Sequence, residues 1–273
     1  IVGTGGYASF PALFMGSKMG IPTCVHEANA VPGLATRLAA GSADRILVNF
    51  AESGKAYKQQ EKVTCVGMPV RSEFLYTKRA DARKELGLDE RPLIVSAFGS
   101  LGAKAMNEAM AEFMKLEKEN GLPFQHIHAT GSYGWEWMPG LVKEKGVDLD
   151  NGSIDMREYI YNMPTLMAAA DVFISRAGAS SCNEIAVSGT PCILIPSPNV
   201  TDNHQEKNAR IIEGRGGCVL LLERECTAQR LYQEVQSLLN DTEKRAAMRK
   251  ALMESSMPDS ADRICDIICD LAR

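Results

Sequence analysis

The chain has 273 residues, 45% hydrophobic and 23% charged, with a formal net charge of −4. These are the proportions of a folded globular protein with room for two ordinary domains. They argue against nucleic acid as a partner, since no long basic run exists, and against a bilayer-crossing helix, since no apolar run approaches the roughly 18 residues one needs. No signal-peptide pattern is visible. The eight cysteines form no CxxC pair and no zinc-spaced cluster with histidine, and read as reduced thiols of a cytosolic core.

In chain order, Ile1-Val2-Gly3 reads as the end of a strand without an initiator methionine, so an N-terminal portion is expected upstream. A glycine turn, GTGGY (3–7), follows. Residues 11–19 suggest a helix ended by Gly20, and 22–25 a short strand leading into His26-Glu27-Ala28-Asn29. A helix is expected over 33–40, strands over 45–48 and 62–66, and an interdomain turn over 67–71. Residues 78–86 then fit a helix.

A second domain begins at Pro92. Residues 93–98 read as a strand, 99–103 (GSLGA) as a glycine-rich turn, and 104–120 as a helix with Met106, Met110, Phe113 and Met114 on its buried side. Residues 125–130 read as a strand and 161–170 as a helix. The central unit is 171–198: strand Val172-Phe173-Ile174, turn Arg176 to Ser181, a helix ended by Gly189 and Pro191, and strand 192–195. Ser180 or Ser181 is expected to cap that helix. Asp202-Asn203-His204-Gln205 reads as a polar loop, 217–222 as the last strand, and 227–239, 242–257 and 261–272 as helices. Alternating strands and helices predict an α/β architecture of two Rossmann-like domains facing a cleft.

In this architecture a helix N-terminus opens at the carboxyl end of the sheet, where anions bind. The first backbone amides of the helix that follows the turn Arg176 to Ser181 suit a diphosphate, and Glu184, able to accept two hydrogen bonds, suits a ribose. The three glycine-rich turns each have a plain conformational reading; together they suggest ligand contact. None matches GxGxxG with an acid about 20 residues on, which disfavours a dinucleotide oxidoreductase. His26 and Glu27 form a possible proton-transfer pair, or else tie down a loop. Gln205 suits a sugar hydroxyl and Arg71 a phosphate. Asp148-Leu149-Asp150 looks like a metal motif but sits in a polar loop. His126 and His128 read as packing residues, and Cys265 and Cys269 as buried neighbours.

The segments GTGGYASFP, GIPTCVHEANAVPGLATRLAA, GMPVR, GSLGA, SRAGASSCNEIAVSGTPCILIPSP and DNHQEKNA occur in an order that resembles the MurG family of UDP-N-acetylglucosamine:undecaprenyl-diphospho-muramoyl-pentapeptide N-acetylglucosaminyltransferases. The resemblance covers nearly the whole chain. It implies a GT-B fold and an inverting transfer of GlcNAc from UDP-GlcNAc to undecaprenyl-linked lipid I, giving lipid II. It implies no cofactor and no tightly held metal. The enzyme would work as a peripheral protein at the cytoplasmic face of the bacterial plasma membrane. Carried over, it assigns donor contacts to Asn29, Arg71, Ser100, Ile160, Ala179, Ser180, Ser181, Cys182, Glu184 and Gln205. Gly5, Gly6 and Tyr7 would meet the acceptor diphosphate. Residues 1–73 would form a partial acceptor and membrane domain, 74–255 the donor domain, and 256–273 a helix returning to the first domain. Leu101 and Ala28 depart from the family's usual glutamines. The family's first glycine loop, with its proposed catalytic histidine, would lie upstream of Ile1. Competing readings are a module that binds UDP-GlcNAc without turnover and a UDP-GlcNAc 2-epimerase-like enzyme. Phe10, Leu13 and Phe14, beside Lys18, are expected to form part of a membrane-contacting patch.

Overall fold

The computed structural model describes residues 1–272. Its strands form where short apolar runs are covered on both faces. The run Leu93-Ile94-Val95-Ser96-Ala97 is buried at every position, the pattern of a parallel strand between helical layers. Strands β1 (Val2–Gly3), β2 (Cys24–Glu27), β3 (Arg45–Val48) and β4 (Val63–Cys65) pair in that order. Strands β5 (Leu93–Ala97), β6 (Gln125–Ala129), β7 (Ile154–Arg157), β8 (Val172–Ser175), β9 (Cys192–Leu194) and β10 (Val219–Leu220) form a second sheet in the order β10-β9-β8-β5-β6-β7. Every pairing is parallel. The order reverses beside β5, so a crevice opens beyond the carboxyl ends of β5 and β8, where open α/β sheets bind ligands.

Helix Lys104–Glu119 covers the second sheet with Met106, Met110, Phe113 and Met114, an apolar stripe at the helical period. Gly189 adopts the left-handed conformation (φ 61°) that ends helix Ala179–Ser188. Several elements differ from the sequence reading, the short helices Ala51–Gly54, Glu73–Tyr76 and Ser132–Trp135 among them. Strand β7 was not expected because it is only partly buried and lacks an apolar run. Helix Met138–Glu144 was also missed. The stretch from His204 is not a loop but the start of helix His204–Gly214.

The final helix, Ser260–Leu271, lies on the first sheet, with Ile264, Ile267 and Leu271 against Cys24, Leu47 and Val66. Cys265 and Cys269 are exposed on this helix rather than buried, because the apolar stripe at 264, 267 and 271 points the other way. The chain thus passes between the two sheets twice, after β4 and before Ser260. The two passages touch: Gly67 has φ 75°, and a Cβ there would stand 2.7 Å from the Cβ of Met257.

His126 and His128 do more than pack. Ser96 Oγ lies 2.7 Å from His126 Nε2 and 2.7 Å from His128 Nδ1, and His126 Nδ1 lies 2.8 Å from Glu117 Oε1. All four side chains are buried. Burial holds His128 well below the usual imidazole range, and Nε2 has no partner. Unfolded His128 takes up a proton near pH 6.5, while folded His128 does not. Stability therefore falls as pH drops through that value. Burial raises the Glu117 carboxyl, which acts with the opposite sign. A paired comparison isolates the histidine: between pH 7.5 and 5.5, urea unfolding is expected to show the wild type losing about 1 kcal/mol more than His128→Gln. Parallel pH profiles would remove His128 from this role.

Candidate active site

A cleft of about 420 Å³ lies at the carboxyl ends of the second sheet. Ala97, Gly99 and Ser100 line it from the end of β5, Ala129 from β6, and Phe173 and Ser175 from β8. Ile160, Ser181 and Glu184 complete its walls, and Arg71 reaches it from the first connection. The glycine turn after β5 is shaped by close approach. Gly102 and Gly131 have φ of 81° and 72°, and a Cβ on Gly131 would stand 2.1 Å from Gly102 N. Ser132 N and Tyr133 N donate to the carbonyls of Ser100 and Leu101 at 3.1 and 3.2 Å. This pairing fixes Ser100, exposed at the rim.

Helix Ala179–Ser188 begins at Gly178, and no side chain caps it. The expected caps, Ser180 and Ser181, lie inside the helix instead. Its first N–H groups consequently have no competing side-chain acceptor, a setting suited to an anion. Glu184 stands half-buried one and a half turns in. Burial pushes its carboxyl up from the usual range, and the Arg71 guanidinium opposes that shift. Arg71 also lies over the Phe74 ring, 5.3 Å from its centroid. Ile160 is buried at the cleft floor. Among the described residues, its peptide N–H and C=O have no hydrogen-bond partner. Tyr159 and Tyr161 stand edge to face beside it, 4.9 Å between centroids.

A second cleft, about 620 Å³, joins the two halves. Gly5, Gly6, Tyr7, Glu27 and Asn29 line one side, and Thr201, Asp202 and His204 the other. Gly5 and Gly6 have φ of 94° and 73°, and Tyr7 is exposed. The glycine turn thus presents backbone and one aromatic ring to open space.

The structure separates the sequence candidates. It brings Arg71, Ser100, Ile160, Ser181 and Glu184 to one cleft, and Gly5, Gly6, Tyr7 and Asn29 to the other. Ala179 and Ser180 lie at the helix start and line neither cleft. Cys182 is turned away. Its N–H donates to Gly178 O at 2.9 Å, and its buried thiol is pushed up to about 12, so neither group is available to a diphosphate. Gln205 accepts from Ser197 N through Oε1 at 2.9 Å, which leaves its amide group as the only free end. His26 and Glu27 do not form an open acid–base pair. His26 Nε2 meets Gly67 O at 2.8 Å. Glu27 accepts from Asn29 N and Gly33 N, each at 2.9 Å, and from the Thr36 hydroxyl. Both serve the backbone around them. Asp148 and Asp150 form an exposed turn, with Asp150 N donating to Asp148 Oδ1. Among the described residues no group of three metal-ligating side chains occurs.

Two parallel α/β bodies, with a cleft at the switch point and an anion-suited helix start beside a half-buried carboxylate, define a nucleotide-sugar glycosyltransferase of the GT-B fold. Residues 93–264 match the glycosyltransferase family 28 C-terminal domain and residues 1–48 its N-terminal domain. The chain is 40% identical, over its whole length, to 73% of the UDP-N-acetylglucosamine--N-acetylmuramyl-(pentapeptide) pyrophosphoryl-undecaprenol N-acetylglucosamine transferase of Acetivibrio thermocellus. It is 39% identical, over 98% of its length, to 73% of the protein of that name from a Thermoanaerobacter species. The chain belongs to this transferase family, as its motifs imply. In fold it is similar to the crystal structure of Acinetobacter baumannii MurG, with a TM-score of 0.79 at 24% identity over 98% of this chain and 74% of that one. It is also similar to a UDP complex of Staphylococcus aureus MnaA, with a TM-score of 0.71 at 13% identity over the same shares.

Proposed function

We infer that this protein transfers GlcNAc from UDP-GlcNAc to the MurNAc 4-hydroxyl of lipid I, producing lipid II, with inversion at the anomeric carbon. The observation that carries the reading is the cleft at the ends of β5 and β8, where Ser100, Ile160, Ser181, Glu184 and Arg71 converge. Ile160 would read the uracil edge through its backbone. The amides at Ala179 to Ser181, with the Ser100 hydroxyl, would hold the diphosphate, and Glu184 the ribose. Asn29 and the free amide of Gln205 would contact GlcNAc. Gly5, Gly6 and Tyr7 would receive the lipid diphosphate in the second cleft.

In the transfer step the acceptor oxygen bonds to C1 as the bond from C1 to the phosphate oxygen breaks. UDP leaves with the electron pair, and the hydroxyl proton passes to a base. The helix start and Arg71 stabilise the charge that grows on the departing diphosphate, and their dipoles are already oriented before reaction. His26 and Glu27 are not proposed as that base.

Residues 1–73 would form the acceptor and membrane side, 74–255 the donor side, and 256–273 the return helix. Among the described residues no helix is long and apolar enough to cross a membrane. A peripheral site at the cytoplasmic face of the bacterial plasma membrane is proposed instead. Leu13 is in the core and drops out of the expected patch. Phe14, Met15 and Met19 are exposed, and Lys18 lies 4.4 Å from the centre of the Phe14 ring, an amphipathic surface that suits a headgroup layer.

Incubation with UDP-GlcNAc and a soluble lipid I analogue is expected to release UDP and form the β-1,4-linked disaccharide. UDP binding by calorimetry without release would leave a binding module. Free ManNAc by NMR would mark an epimerase.

A further inference from the structure

Asn208 is a polar side chain with no solvent exposure, on the inner face of helix His204–Gly214. Its Oδ1 accepts from Ala30 N at 2.8 Å. Its Nδ2 donates to Asn29 Oδ1 at 3.2 Å and to Ala177 O at 3.1 Å. One carboxamide therefore engages both its N–H groups and its oxygen. Its partners come from two places: the loop after β2, and the turn after β8 that ends at Gly178, where the donor helix starts.

The chain of contacts extends further. Glu27 Oε1 accepts from Asn29 N at 2.9 Å and from Asn29 Nδ2 at 3.4 Å. Asn29 is thus held at its amide end by the first sheet and at its oxygen by Asn208. Ala30 is buried in the same apolar cluster as the second sheet. Just before the helix, Asp202 and Asn203 take φ of 55° and 49°. Side chains adopt that region at a cost, and such strain persists where surrounding contacts enforce it. Here it launches the helix along the path that carries Asn208 to its three partners.

We propose that Asn208 is a positioning residue that clamps the loop bearing Asn29 against the turn bearing the donor amides, and so sets the distance between the sugar-facing and diphosphate-facing walls. The inference rests on the donor reading given above. Asn208 touches no reacting atom; it acts through Asn29 and Ala177. A displacement of about 1 Å between reacting groups costs on the order of 100-fold in rate, so loosening this clamp is expected to act on kcat. UDP alone is held by the helix start, Glu184 and Arg71, none of whose side chains Asn208 touches, and should bind nearly as before.

Asn208→Asp keeps size and one acceptor but removes both donors, and sets oxygen against oxygen at Asn29 and Ala177. It is expected to lower kcat roughly 100-fold while UDP affinity by calorimetry stays within about threefold. Asn208→Ala should behave likewise, and Asn29→Ala with Asn208→Ala should cost no more than the worse single change, because the two act as one unit. Hydrogen exchange should speed up at residues 28–31 and 176–179 and leave the second sheet unchanged. A kcat within threefold of wild type, losses that multiply, or exchange raised throughout the second body would each overturn the clamp. A wild type that binds UDP but releases none would count against the proposed reaction, and local exchange would then decide the clamp by itself.

Discussion

Glu184→Ala is expected to weaken UDP binding by about 1–3 kcal/mol, the range for losing a hydrogen bond to a charged partner in a buried setting. That is roughly a 5- to 150-fold rise in Kd. The side chain lines the donor cleft and is half-buried there. Burial raises its carboxyl, against the pull of Arg71. An ionised carboxylate in this position accepts from two neighbouring ribose hydroxyls at once. The same geometry fixes a pH effect. The ribose favours the ionised form, so affinity falls as pH drops through the raised carboxyl range, at higher pH than for an ordinary glutamate. Titration of the ligand's own phosphate is common to both proteins, and the difference between wild type and Glu184→Ala removes it. Calorimetry from pH 8 to 5 reads both effects. Equal affinities in the two proteins, or a difference that does not change with pH, would take Glu184 out of the site.

Gly131→Ala should damage the donor half severely. Gly131 has φ 72°, and its added Cβ would lie 2.1 Å from Gly102 N and 2.4 Å from Gly102 Cα. Both obstacles are backbone, so no side-chain rotation relieves them. Left-handed strain and overpacking together cost about 3–5 kcal/mol. Relief by backbone movement would shift the turn 99–102 and carry Ser100 away from the cleft, so UDP affinity should fall beyond what instability explains. Gly152 provides the control. Its φ is 74°, yet a Cβ there meets nothing within 4 Å, and Gly152→Ala should cost only about 1 kcal/mol. Urea unfolding of the two variants separates close approach from conformation. Similar losses in both would show that the contact between the two turns is unimportant.

The sequence reveals the donor unit because its signals are local. Val172 to Ile174 and Cys192 to Leu194 are apolar runs of the length of buried parallel strands, and Gly189 marks the end of the helix between them. Ser180 and Ser181 misled as caps because they sit near the right place; Gly178 takes the position instead, by backbone conformation alone. Helix His204–Gly214 was hidden by its polar face and by the left-handed residues in front of it. His26-Glu27 looks like an acid–base pair in one dimension. Only the fold shows that their partners are Gly67 O, Gly33 N and Thr36. Asn208 had one available sign, a lone amide on the inner face of a helix beside Ala209 and Ile212. Its partners lie 31, 178 and 179 residues away, a separation that no local pattern encodes.

The side-by-side meeting of Gly67 and Met257 has a mechanical result. Two strands of chain pinned together at one spot work like the leaves of a door hinge. Opening and shutting about that line needs only small dihedral changes at a few residues, whereas torsion of one half against the other would pull the leaves apart.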